Sequence, residues 1–271
     1  SALLLWASFT PLNVSPLAWI APAPLLLLVR LRQPTRRMWF ACYLGGLAFY
    51  VPALQWMRLG DPTMYLAWLS LAAYLGVSFP VFVGLCRIAV HRWSVPLVAA
   101  APVAWVGLEY AKAHLLTGFA WYFLGHTQYR WLEMIQISDL VGAYGVSFVM
   151  ALSAAALAGL IPESWLGRIR LLPPMASQPE ATGNGSVDDA APPYTLPEGG
   201  PRAGAYVIPC RRWPAFVAVG LFAATLAYGF ARREQAEFTP GPRVALIQGN
   251  FPASLRIPPE DFNHQYATHM K

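Results

Sequence analysis

The sequence predicts an all-α polytopic membrane bundle of about six to seven spans followed by the first strand of an α/β domain. Apolar residues make up 56% of the 271 and charged residues only 12%, against roughly 25% charged in soluble domains. Long apolar runs recur along most of the chain and leave no stretch that could build a large water-soluble core. Near the C-terminus the texture changes to a short β-branched run ending in Gly-Asn, the profile of a buried strand.

Taken in order, Ser1 to Trp6 is apolar but far short of the ~20 residues that cross a bilayer, so it reads as the tail of a helix whose start is missing. A secretory signal does not fit, because no basic region precedes it and Phe9-Thr10-Pro11-Leu12 is no small-residue cleavage site. Six apolar segments follow. They are Pro16 to Val29, broken by Pro22 and Pro24, then Met38 to Met57, Tyr65 to Val90, Val95 to Lys112, Ile135 to Ile161 and Trp213 to Phe230. Pro52 and Pro80 lie inside two of them, where neighbouring helices and water can satisfy the freed carbonyls.

Met175 to Ala205 is built from Pro, Gly, Ser, Ala and Asp without apolar periodicity. It cannot bury enough apolar area to offset its chain entropy, which predicts a disordered cytoplasmic insertion with no catalytic role. After Thr239-Pro240-Gly241-Pro242 comes the strand Arg243 to Asn250, too short to stand alone because its backbone groups would stay unpaired. The expected division is transmembrane helices over 1–162, a cytoplasmic loop with the insertion over 163–212, a transmembrane helix over 213–231 and the edge of an α/β domain over 240–271.

Charge sets the expected orientation. If the chain alternates sides, one set of loops holds Arg30, Arg32, Arg36, Arg37, Arg87, Arg92, Arg168, Arg170, Arg202, Arg211 and Arg212. The opposite set holds only Arg58, Lys112, Arg130, Arg232 and Arg233. The excess places the Arg-rich loops in the cytoplasm and everything after Phe230 outside the membrane, although Arg232 and Arg233 run against it. The net charge of +6 is scattered between apolar runs, not gathered on one face, which does not point to nucleic acid. Cys42, Cys86 and Cys210 show no CxxC spacing and no neighbouring His pair, so neither a metal site nor a disulfide framework is indicated, and no cofactor is called for.

Four stretches carry more. Phe9 to Ile20 is a proline-punctuated hairpin with Trp19 at interfacial depth. Glu109-Tyr110 and then Thr117 to Gln128 form an aromatic, Gly-rich segment too polar for an ordinary span, read as a lipid-facing or re-entrant element. Asp139 to Phe148 has small residues at Gly142 and Gly145 that would admit another helix or a lipid head group. Val244 to Pro252 is the strand and its turn.

In this order and spacing the four stretches resemble the apolipoprotein N-acyltransferases, whose members carry a Pro-rich first hairpin, an E…TGFxWxxLGxxQ segment, a GxYGVSF helix start and a VALxQGNxP entry into a nitrilase-like (CN hydrolase) domain. The resemblance implies a bacterial inner-membrane, multi-pass enzyme with its C-terminal domain on the periplasmic side. Its partners would be a phospholipid acyl donor, a diacylated apolipoprotein acceptor and membrane lipids. The acyl chain would pass through a cysteine thioester to the N-terminal S-diacylglyceryl-cysteine, using a Glu base, a Lys and a Cys nucleophile. Lys271 precedes the positions at which the family places all three, and Cys42, Cys86 and Cys210 do not match the nucleophile, so no catalytic residue is expected within the chain. Ile257 departs from the aromatic residue expected after Ser254-Leu255-Arg256.

Substrate or lipid contacts are expected at Glu109, Gly118, Phe119, Trp121, Gln248 and Asn250. Glu109 is an acid inside a predicted span, with Lys112 a turn on; it either serves function or snorkels at a helix end. Gly118, Phe119 and Trp121 either shape an acyl groove or form an aromatic belt, while Gln248 and Asn250 either bond substrate or cap a turn. His114 and His126 flank the Thr117 to Trp121 loop and, lacking a spaced third ligand, read as structural. Two rivals stay open: a small-molecule transporter, which would show paired broken helices and several midplane charges, and a noncatalytic anchor presenting a different amidase-like domain.

Overall fold

The computed structural model describes residues 1–31, 36–59, 63–116, 118–162, 166 and 212–235. Cys210, Gln248, Asn250, the 175–205 segment and the 240–271 segment lie outside the described residues. The helices are α1 (Ala2–Ser8), α2 (Ala23–Arg30), α3 (Arg36–Ala53), α4 (Met64–Gly76), α5 (Ser78–Arg87), α6 (Leu97–His114), α7 (Leu132–Ile135), α8 (Ser138–Leu160) and α9 (Trp213–Glu234). Short 3-10 turns occupy Ser15–Trp19, Gln55–Leu59 and Leu124–Gln128, and a π turn Ile88–Arg92 extends α5. No β-strand occurs among the described residues.

Among the described residues, three stretches are long and apolar enough to cross a membrane: Met64–Arg92, in which α4 and α5 run on through Val77, then α8 and α9. Helices α3 and α6 have 18 residues each, about 27 Å at 1.5 Å per residue, but α3 opens on Arg36-Arg37 and α6 carries Glu109 and Lys112. The short Ser15–Arg30 stretch, with its Pro22-Ala23-Pro24 break, is apolar but too short to qualify.

The element ends gather into two sets. On one, Arg30 donates to the carbonyls of Ala158 (2.8 Å) and Ile161, Arg87 donates to those of Leu28 (3.0 Å) and Leu31, and His91 Nε2 donates to that of Val29 at 2.8 Å. The last carbonyls of a helix lack intrahelical partners, and lipid supplies none, so the buried Arg30 and Arg87, with the exposed His91, complete the C-terminal ends of α2 and α8. On the other set, Gln128 Nε2 donates to the Ser15 carbonyl at 3.0 Å and Tyr122 donates to the Ala53 carbonyl. The helical legs alternate between the two sets.

Without water to expel, helices in lipid associate through close packing, which small residues permit. Ala151, Ala154, Ala155 and Ala158 form a buried ridge along α8. Where α3 crosses α4, a Cβ on Gly46 would lie 2.3 Å from the Gly76 carbonyl oxygen, so the two backbones touch. Gly142, expected to admit a neighbour, has φ +65° and breaks the helical path of α8 instead. The close approach falls on its neighbour: a Cβ on Gly125 would lie 2.7 Å from the Ala143 carbonyl oxygen.

Candidate functional site: an aromatic loop over a buried carboxyl

The loop after α6 begins with a reversal that only glycine fits. Gly118 has φ +84°, and a Cβ there would lie 2.1 Å from the Ala113 carbonyl oxygen. The bend closes as the Phe119 N–H donates to the Lys112 carbonyl at 2.7 Å. Trp121 then stands 53% exposed, its ring 5.1 Å from that of Trp56 and 5.4 Å from that of Phe119. Tyr122 turns inward, donating to the Ala53 carbonyl while its hydroxyl accepts from Trp56 Nε1 at 3.2 Å.

Beneath the loop lies Glu109, 2% exposed. Its Oε1 accepts the Trp105 indole N–H at 2.9 Å and the Leu124 backbone N–H at 2.7 Å. Ser147, whose hydroxyl accepts the Gly125 N–H at 2.9 Å, interacts electrostatically with the carboxyl, yet Oε2 has no hydrogen bond. Lys112 attracts the carboxyl but gives its hydrogen bond to the Tyr50 hydroxyl at 3.0 Å, with Nζ 5.7 Å from that ring's centroid. The 3-10 turn that starts at Leu124 is held further along, where Gln128 Nε2 donates to Thr127 Oγ1 at 2.8 Å as well as to Ser15.

Two cavities adjoin this unit. One, of about 20 Å³, is lined by Glu109, Lys112, Tyr50, Phe79, Trp105 and Tyr122 among others. The second is an open apolar groove of about 530 Å³ between α8 and α9, lined by Trp19, Gln128, Trp131, Ala156, Ala218 and Phe222 among others. Gly118, Phe119 and Trp121 line neither of these two.

The structure thus brings Glu109, Gly118, Phe119 and Trp121 into one helix–loop unit, with the acid turned inward and the tryptophan outward. His114 and His126 stack on Tyr110 (4.1 Å) and Phe123 (4.9 Å). Tyr50, Tyr122 and Gln128 hold the unit together, and sequence reasoning did not single them out. Gln128 alone had a signal, as the last residue of the aromatic motif.

Fold and site together define a helical membrane domain whose buried carboxyl fastens an exposed aromatic loop. The profile of the apolipoprotein N-acyltransferase N-terminal domain matches residues 1–156. The chain is 33% identical to the apolipoprotein N-acyltransferase of Geobacter metallireducens over 96% of its own length and 44% of the relative's. It is 35% identical to that of Rhodopirellula baltica over 55% of this chain and 28% of the relative, and 33% identical to that of Chromobacterium violaceum over 63% and 35%. The chain belongs to the apolipoprotein N-acyltransferase family. It spans less than half the length of these relatives.

Proposed function

We propose that this chain is the membrane part of a phospholipid-dependent apolipoprotein N-acyltransferase of the bacterial inner membrane. The enzyme transfers an acyl chain, through a cysteine thioester, to the N-terminal S-diacylglyceryl-cysteine of a diacylated apolipoprotein. The observation that carries this reading is the family match over residues 1–156, which takes in both Glu109 and the aromatic loop fastened to it.

In this reading all the helical legs cross the bilayer, six to seven spans in total. The Arg30, Arg87 and Ala158 ends lie in the cytoplasm with the 163–212 loop, and the aromatic loop lies at the periplasmic face. Residues 240–271 form the N-terminal edge of a nitrilase-like domain on that face, entering on the 244–250 strand with Gln248 and Asn250 toward substrate. Gly118, Phe119 and Trp121 receive acyl chains where they enter the domain above. The groove between α8 and α9 has the volume of an ordinary lipophilic site, about 300–1,000 Å³. The Glu, Lys and Cys of the chemistry match no residue here, and Cys42 and Cys86 are buried in the bundle core.

Mass spectrometry of a diacylated lipopeptide incubated with phospholipid liposomes tests this. Residues 1–271 should bind lipid without forming triacylated product, whereas a protein extended through the nitrilase-like domain should form it. Product made by residues 1–271 alone, and lost on replacing Cys42, Cys86 or Cys210, would overturn the placing of the active site.

A further inference from the structure

We infer that the small cavity under the aromatic loop is a binding site for one water molecule, held by Glu109, Lys112 and Tyr50, and that the hydrated carboxyl positions the Leu124–Gln128 turn. Glu109 Oε1 is fully engaged by Trp105 and Leu124, while Oε2 is buried and has no hydrogen bond. An oxygen in that state is costly to leave unsatisfied, and inside a bilayer no bulk solvent relieves it.

The space beside it fits the remedy. The cavity measures about 20 Å³. One water needs about 10–15 Å³ by that measure, together with two to four polar partners. The lining offers Glu109, the Lys112 ammonium and the Tyr50 hydroxyl. Lys112 has three N–H donors and gives one to Tyr50, which leaves two to aim into the cavity. An acyl chain or a head group is far too large for this space, and the ammonium at its wall disfavours a metal ion. Water both donates and accepts, so it satisfies Oε2 whether the carboxyl is ionised or protonated.

The consequence for the loop is geometric. A carboxyl held at one oxygen can swing about its last torsion, and a water fixing Oε2 also fixes Oε1, the acceptor of the Leu124 N–H. That N–H opens the turn whose far end reaches Ser15 through Gln128. Glu109 is then a positioning residue that touches no substrate, and the inference does not depend on the acyl-transfer reading.

The test combines a high-resolution structure of residues 1–271 in a lipidic mesophase with amide hydrogen exchange of three variants. One water peak should appear within hydrogen-bond distance of Oε2 and of Lys112 Nζ or the Tyr50 hydroxyl. Glu109→Leu should speed exchange in the Leu124–Gln128 turn by roughly ten- to hundredfold, the equivalent of a lost charge-assisted hydrogen bond, with α3 and α8 unchanged. Glu109→Gln keeps an acceptor for Leu124 and should restore protection. Tyr50→Phe, which leaves the ring in the core, should raise turn exchange severalfold, and it serves alone if the leucine variant does not fold. A dry cavity, or a metal ion in it, would overturn the water site. Turn exchange unchanged in Tyr50→Phe, or no rescue by Glu109→Gln, would overturn the positioning role.

Discussion

Arg232 Nε donates to Asp139 Oδ2 at 2.9 Å, fastening the end of α9 to the start of α8. Tyr228 donates to the same carboxylate at 2.8 Å, and Arg233 pairs with Glu133 on α7. The helices meet closely here because a Cβ on Gly229 would lie 1.9 Å from the Glu133 carbonyl oxygen. These are the two arginines that run against the charge asymmetry. Their place has a structural reason: they clamp the last helix to the corner beside the aromatic loop.

Asp139→Arg should open this clamp, and adding Arg232→Asp should close it again. The two side chains are 49% and 35% exposed, so water and salt screen the pair and the single variant should lower Tm by only about 2 °C. Thermal unfolding in detergent at low and high salt checks it, with the difference shrinking at high salt.

Gly46→Val should be far more damaging than the same change at Gly107. A Cβ at Gly46 would meet the Gly76 carbonyl oxygen at 2.3 Å, whereas one at Gly107 would meet nothing within 4 Å. Overpacking of this kind costs about 1–3 kcal/mol. Unfolding by denaturant should show that loss for Gly46→Val and none for Gly107→Val.

Arg30→Leu should leave the Ala158 and Ile161 carbonyls without their donor in a buried site. Two unsatisfied acceptors together cost about 2–6 kcal/mol. Arg30→Lys should recover only part of this, because an ammonium lacks the planar fork of donors. Thermal stability of the three proteins, side by side, gives the ranking.

The apolar runs were legible because each helical leg needs one, and their limits fall within a few residues of α3, α6, α8 and α9. The sites were legible only as residue types. Arg30 and Arg87 read as markers of orientation, but that they bend inward to complete helix ends depends on which ends meet in space. Spacing paired Glu109 with Lys112. The two do attract each other, but their hydrogen bonds go elsewhere: the acid's to Trp105 and Leu124, the lysine's to Tyr50, 62 positions away. Gly142 looked like a packing surface because a small residue in a span usually is one; its positive φ is invisible without the backbone.

In the proposed topology the aromatic loop and the clamp lie at the periplasmic face, and the Arg30 and Arg87 ends lie in the cytoplasm. Thiol labelling in intact cells tests it most directly. With Cys210 replaced by serine and the buried Cys42 and Cys86 left in place, Tyr129→Cys and Trp93→Cys are treated separately with a membrane-impermeant maleimide; both positions are exposed. Position 129 should label rapidly, and position 93 only after the cells are opened. Labelling of position 93 in intact cells, with position 129 protected, would contradict this topology.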